Sequence, residues 1–215
     1  MGGVLRQSIV FGLLIPFGSW AADEADLSAT LSLRVRLYNT SSASVREMQE
    51  MKEVASQIFR RAGVAVEWVP CAPGADDSAV CPNDSDGENG TILFVRLVDA
   101  PSQPARGDQL HRALLGRANR RTGSAALFYK TACALEQSAP RVATRGQILG
   151  HGLAHELGHL LLASDVHTLV GIMKEDYDND DLFAMGKGRL FFAAAESRAI
   201  RKRILSVSGA ATSIR

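Results

Sequence analysis

The stretch His-Gly-Leu-Ala-His-Glu-Leu-Gly-His-Leu-Leu-Leu-Ala-Ser-Asp-Val-His, from His151 to His167, concentrates four of the chain's five histidines in seventeen residues. Within it, His155-Glu156-Leu157-Gly158-His159 is an H-E-x-x-H pattern. On a helix, residues four apart share a face, so the two imidazoles can meet one metal ion. The flanking sequence fits a helix. Thr144 and Gln147 have capping-box spacing, and Ile148, Leu149, Leu153, Leu157, Leu160 and Leu161 form a broad apolar stripe. His155 and His159 would then bind zinc through ring nitrogens at about 2.0–2.1 Å. Glu156 would stand beside a zinc-bound water as general base rather than as a ligand.

The pattern is short, and a buried helix whose histidines are merely hydrogen-bonded would carry it too. Two further features favour the metal. His167 follows just past the expected helix end, and Gly171-Ile172-Met173 comes next. His151 lies one turn before His155, about 12 Å along the axis from His159, too far to share the ion. It is read as packed or solvated.

The N-terminus has its own pattern. Arg6 precedes an apolar run from Ile9 to Gly18, and Ser19-Trp20-Ala21-Ala22 ends in small residues. That order is a secretory signal peptide over residues 1–22, with one domain from 23 to 215. Ten to fourteen apolar residues interrupted by Pro16 fall short of the ~20 that span a bilayer. The expectation is an exported protein, periplasmic or secreted, with no membrane association once the leader is removed.

Loss of Arg6 with the leader leaves 23 of the 24 basic residues, matching the 23 acidic ones. A balance near zero argues against nucleic acid as a partner. The cluster Arg112, Arg117, Arg120 and Arg121 reads as a solvated face. Export makes a disulfide between Cys71 and Cys81 plausible, stabilising by about 2–3 kcal/mol for so short a loop. Cys133 is then left as a free thiol. The acidic residues Asp76, Asp77, Asp84, Asp86 and Glu88 lack EF-hand spacing and are read as loop, not as a calcium site.

Periodicity supplies the remaining elements. Alternation over 29–38 predicts a strand, three- and four-residue spacing over 45–61 a helix, and Gly63 its C-terminal stop. Strands follow at 64–69, 91–98 and 125–130, with a surface loop over 70–90 and a short helix over 110–118. Lys174 to Asp181 reads as an acidic turn. A last helix from 191 to 204 buries Phe192, Ile200 and Ile204, and the final ten residues look frayed. The fold class is α/β, a twisted mixed sheet of four to five strands with helices.

The order of ligand helix, chain reversal, third histidine and Gly171-Ile172-Met173 resembles the metzincin metallopeptidases. More narrowly, it is similar to a group of small exported bacterial metzincin-like proteins. The resemblance covers residues 147–173 by motif and most of the mature chain by layout. It implies a backing helix at 45–61, an edge strand near 124–130, a zinc-binding helix, a Met-turn at Met173 and a closing helix. It implies one catalytic Zn2+ and a monomer that hydrolyses peptide bonds in a peptide or protein substrate. The family pattern places glycine and the third ligand where this chain has Leu162 and Asp165, with His167 two residues beyond. Either can be the third ligand. A neutral imidazole leaves zinc the stronger Lewis acid, which favours His167, with Asp165 then orienting a ligand.

Two other readings stand beside this one. A downstream carboxylate, Glu175 or Glu196, could be the third ligand, as in gluzincins. Alternatively the chain is a non-catalytic exported zinc-binding protein, against which the retained Glu156 argues. Tyr177 could reach the site and stabilise an oxyanion, although surface packing is expected for it.

Overall fold

The computed structural model describes residues 31–73, 79–81, 91–100 and 114–212. The leader over residues 1–22, the acidic residues Asp76, Asp77, Asp84, Asp86 and Glu88, and Arg112 lie outside the described residues. The elements run β1 (Ser32–Asn39), α1 (Val45–Arg61), β2 (Ala65–Pro73), β3 (Ala79–Val80), β4 (Thr91–Val98), β5 (Gly116–Asn119) and β6 (Ser124–Phe128). The helices α2 (Tyr129–Ser138), α3 (Arg145–Leu162), α4 (Asn179–Gly186) and α5 (Ala194–Thr212) complete the chain. Among the described residues no helix is long and apolar enough to cross a membrane.

The sheet order is β3-β2-β1-β4-β6-β5. The four central strands are parallel, and antiparallel β3 and β5 close the two edges. This is the mixed sheet expected, with the two-residue β3 as an addition. In β1 the alternation holds: Leu33, Val35 and Leu37 are buried, while Arg34 and Arg36 lie on the other face. Helix α1 covers the apolar face with Met51, Ala55, Ile58 and Phe59. Its start is fixed by Ser44, which bonds the Glu47 amide, while Glu47 bonds the Ser44 amide in return.

Helix α3 lies at the centre of the molecule. Its Thr144–Gln147 capping box forms as expected, and from Ile148 to Leu161 every residue is buried. Contacts reach it from α1, α2, α4, α5, β5 and β6. An apolar side chain buried in such a position contributes about 1.5–3 kcal/mol, so the helix that carries the histidines is also the main organiser of the core. Ala163 stops it in the left-handed conformation at φ 50°.

Several local expectations are corrected. Residues 116–119 are not helical: they pair antiparallel with β6, covering an edge that would otherwise be open. The edge strand is therefore β5, and the strand expected over 125–130 ends at Phe128, one place inward. Tyr129 opens α2, where a plain connection was expected, and the acidic turn continues into α4. Strand β2 extends to Pro73, into the expected loop, and α5 runs to Thr212 through residues expected to fray. Cys71 and Cys81 form the expected disulfide, joining β2 to the residue after β3. Cys133 is free and partly buried.

Candidate metal centre

Helix α3 presents His155 and His159 one turn apart, with their Nε2 atoms 2.9 Å from each other. The turn after Ala163 brings in His167, whose Nε2 lies 3.2 Å from that of His159. Together the three rings form the one compact group of potential ligands among the described residues, their ligand atoms all within 4.8 Å.

Hydrogen bonds fix two of the rings. His155 Nδ1 is 2.8 Å from the Ile172 carbonyl, and His159 Nδ1 is 2.7 Å from the Ser164 carbonyl. A carbonyl only accepts, so each Nδ1 carries the proton and each Nε2 a lone pair. Burial holds both rings neutral, pushing His155 down to about 4 and His159 below its ordinary value. Lone pairs therefore face one another across a point where a cation would resolve their repulsion. A tetrahedral zinc ion separates its ligand nitrogens by about 3.3 Å, close to the spacing present. The residues fit the ion.

Asp165 takes no part in the group. Its carboxylate pairs with Arg120 on the turn after β5, and Arg120 also donates to the Ala163 carbonyl at 2.8 Å. Neither downstream glutamate joins it. Glu196 is buried and accepts from Thr168 Oγ1 at 3.1 Å and from the Ala193 amide at 2.7 Å. Glu175 is exposed on the rim of the adjoining cavity.

Glu156 faces the edge strand. Its side chain rests against Gly116, and its carboxylate accepts from the Ala118 amide. Burial pushes it up to about 7, against the lowering effects of that amide and of Arg117. It lines a cavity of about 220 Å³ with His155, His167 and Tyr177, walled by Leu114, Leu115, Leu135 and Gly152. A separate cavity of about 370 Å³ lies on the other face of the sheet, among Arg36, Phe94 and Arg96, and touches none of the histidines.

The turn Gly171-Ile172-Met173 packs against α3 below His155. Gly171 has φ 81°, a conformation that favours glycine, and Ile172 and Met173 are buried. A Cβ at Gly158 would fall 2.5 Å from Met173 Sδ, which places the thioether against α3 between the two ligand positions. Tyr177 departs from the expectation of surface packing. Its hydroxyl donates to the Ile172 carbonyl, lies 3.2 Å from His155 Nδ1, and is held protonated well above the ordinary tyrosine value by burial. His151 is packed rather than solvated, with Nδ1 2.8 Å from the Gln147 carbonyl.

Sequence reasoning did not reach Gly116, Ala118, the bond of Arg120, or the leucine wall of the cavity. Each acts through a contact distant in sequence. Only Arg120 carried a signal, as part of a basic cluster.

No protein-family model matches the chain, and no curated protein matches it significantly. Among solved structures, the chain is similar to a zinc-dependent peptidase from Methanocorpusculum labreanum, at 13% identity and a TM-score of 0.49, over 77% of this chain and 99% of that one. It is similar to archaemetzincin from Methanopyrus kandleri at 11% identity and a TM-score of 0.48, over 82% and 98%. For metalloproteinase-II from Bacteroides fragilis the values are 11% and 0.47, over 84% of this chain and 55% of that one.

Proposed function

We propose that the chain is a zinc-dependent endopeptidase of metzincin type, exported and monomeric, acting on a peptide or protein substrate. The observation that carries this reading is the convergence of three imidazole nitrogens within 4.8 Å, with His155, His167 and Glu156 lining one cavity. His155, His159 and His167 would hold the ion. When bound, zinc supplies Lewis acidity and an open fourth coordination position.

The chain's own residues supply the rest. Glu156 accepts a proton from the attacking water as its oxygen bonds to the scissile carbonyl carbon. It then returns that proton to the leaving amine nitrogen as the carbon–nitrogen bond breaks. The Ala118 amide holds the Glu156 carboxylate in place through this exchange. Ile172 and Ser164 hold the two helix rings in the tautomer that leaves Nε2 free.

The test is metal content. The mature protein after dialysis should retain one zinc per chain, and the His155→Ala, His159→Ala double variant none. Equal retention by both would overturn the reading.

A further inference from the structure

His155 and His159 each have a carbonyl that fixes the ring, but among the described residues no hydrogen-bond partner reaches Nδ1 of His167. The third ring is therefore placed by its loop. On one side Thr168 ties that loop down, with Oγ1 bonded to the Val170 carbonyl at 2.9 Å and to Glu196 at 3.1 Å. On the other side stands a single guanidinium. Arg120 donates one nitrogen to the Ala163 carbonyl at 2.8 Å and another to the Asp165 carboxylate.

That second bond bears on which group completes the centre. Asp165 and His167 are two residues apart on one short turn, next to Ser164, whose carbonyl already touches His159. Both are donors that zinc accepts. A carboxylate engaged by a guanidinium is charge-paired and turned toward the β5–β6 turn, which leaves the imidazole to the metal.

We propose that Arg120 is the positioning residue of the centre's third arm, holding the Ala163–Asp165 turn and keeping the Asp165 carboxylate off the metal so that His167 completes the ligand set. The inference rests on the zinc reading of the three histidines. It gives Arg120, on the turn after β5, a direct grip on the ligand loop.

The experiment measures zinc affinity by competition with a chromophoric chelator, for the mature wild type and for Arg120→Ala, Arg120→Lys, His167→Ala and the double variant Arg120→Ala/His167→Ala. Circular dichroism reports on folding. Arg120→Ala should bind zinc about three- to tenfold more weakly with unchanged secondary structure, since an exposed pair is worth little to global stability. Arg120→Lys should recover part of the loss. His167→Ala should lose more than Arg120→Ala. The double variant should bind zinc more tightly than His167→Ala, because Asp165, once released, can take the vacant position. Cobalt substitution gives a second readout, with a d–d spectrum in the double variant that differs from that of His167→Ala. Wild-type affinity in Arg120→Ala, or a double variant no tighter than His167→Ala, would overturn the proposal. A wild type that binds no zinc would overturn the metal reading itself, which separates the two failures.

Discussion

Glu156 and Gly116 are in contact across the boundary between α3 and β5: a Cβ added at Gly116 would fall 2.6 Å from Glu156 Cγ and 2.7 Å from the Ala126 carbonyl oxygen. The edge strand can approach the helix closely enough for its Ala118 amide to reach the Glu156 carboxylate because residue 116 has no side chain. The proposed base is thus positioned by a residue forty positions earlier in the chain.

Gly116→Ala follows directly. Because one of the clashing atoms is backbone, rotamer change alone cannot relieve it, and overpacking of this kind costs about 1–3 kcal/mol. The variant should unfold at lower urea than wild type. It should keep its zinc and lose at least about tenfold in kcat/KM, since Glu156 is displaced rather than removed. Wild-type turnover would show that the contact does not position the carboxylate.

Met173 makes a different kind of contribution. It is 1% exposed and fills the space beneath the ligand helix beside Gly158. Met173→Ala should destabilise by about 2–4 kcal/mol through the cavity it leaves, and Met173→Leu by less than about 1.5 kcal/mol. Urea denaturation of the two variants checks this ordering. A thioether acting as a ligand would make both equally damaging to zinc binding.

These contacts show what was legible in the sequence. Helix α3 was readable because its cap, Thr144 to Gln147, and its apolar stripe are local, and the same holds for α1 from Val45 to Arg61. The pairing of His155 with His159 follows from helical periodicity alone. Helix α2 was missed because Phe128 offers no side-chain cap and the helix begins without any linker after β6. Helix α4 did carry a signal: Asp178 and Asp181 form a capping box, read instead as an acidic turn. Strand β5, Gly-Arg-Ala-Asn, has no β-branched residue, and its extended form comes from pairing with β6. Tyr177 was placed on the surface because only the tertiary fold brings it back to the Ile172 carbonyl.

His151 predicts a pH dependence. It is 1% exposed, and burial lowers its pKa from 6.5 to about 4. The folded ring stays neutral down to that value, whereas the unfolded chain takes up a proton near pH 6.5. Between those limits the unfolded state binds more protons, so stability falls as the pH is lowered, by at most about 1.4 kcal/mol per unit for this group. Above pH 6.5 its contribution is constant. Urea titrations from pH 7.5 to 4.5 should show a shallower fall for His151→Met than for wild type. Parallel curves would mean that the ring is protonated in the fold.

The central claim is that Glu156 moves the proton in a zinc-assisted hydrolysis of peptide bonds. The most direct measurement incubates a mixed peptide library with the mature wild type and with Glu156→Ala, both loaded with one zinc per chain. The account predicts cleavage by the wild type, abolished by a chelator and restored by zinc, with turnover by Glu156→Ala lower by at least about a hundredfold. Equal cleavage by the two zinc-loaded proteins, or none by a wild type that holds its zinc, would contradict it.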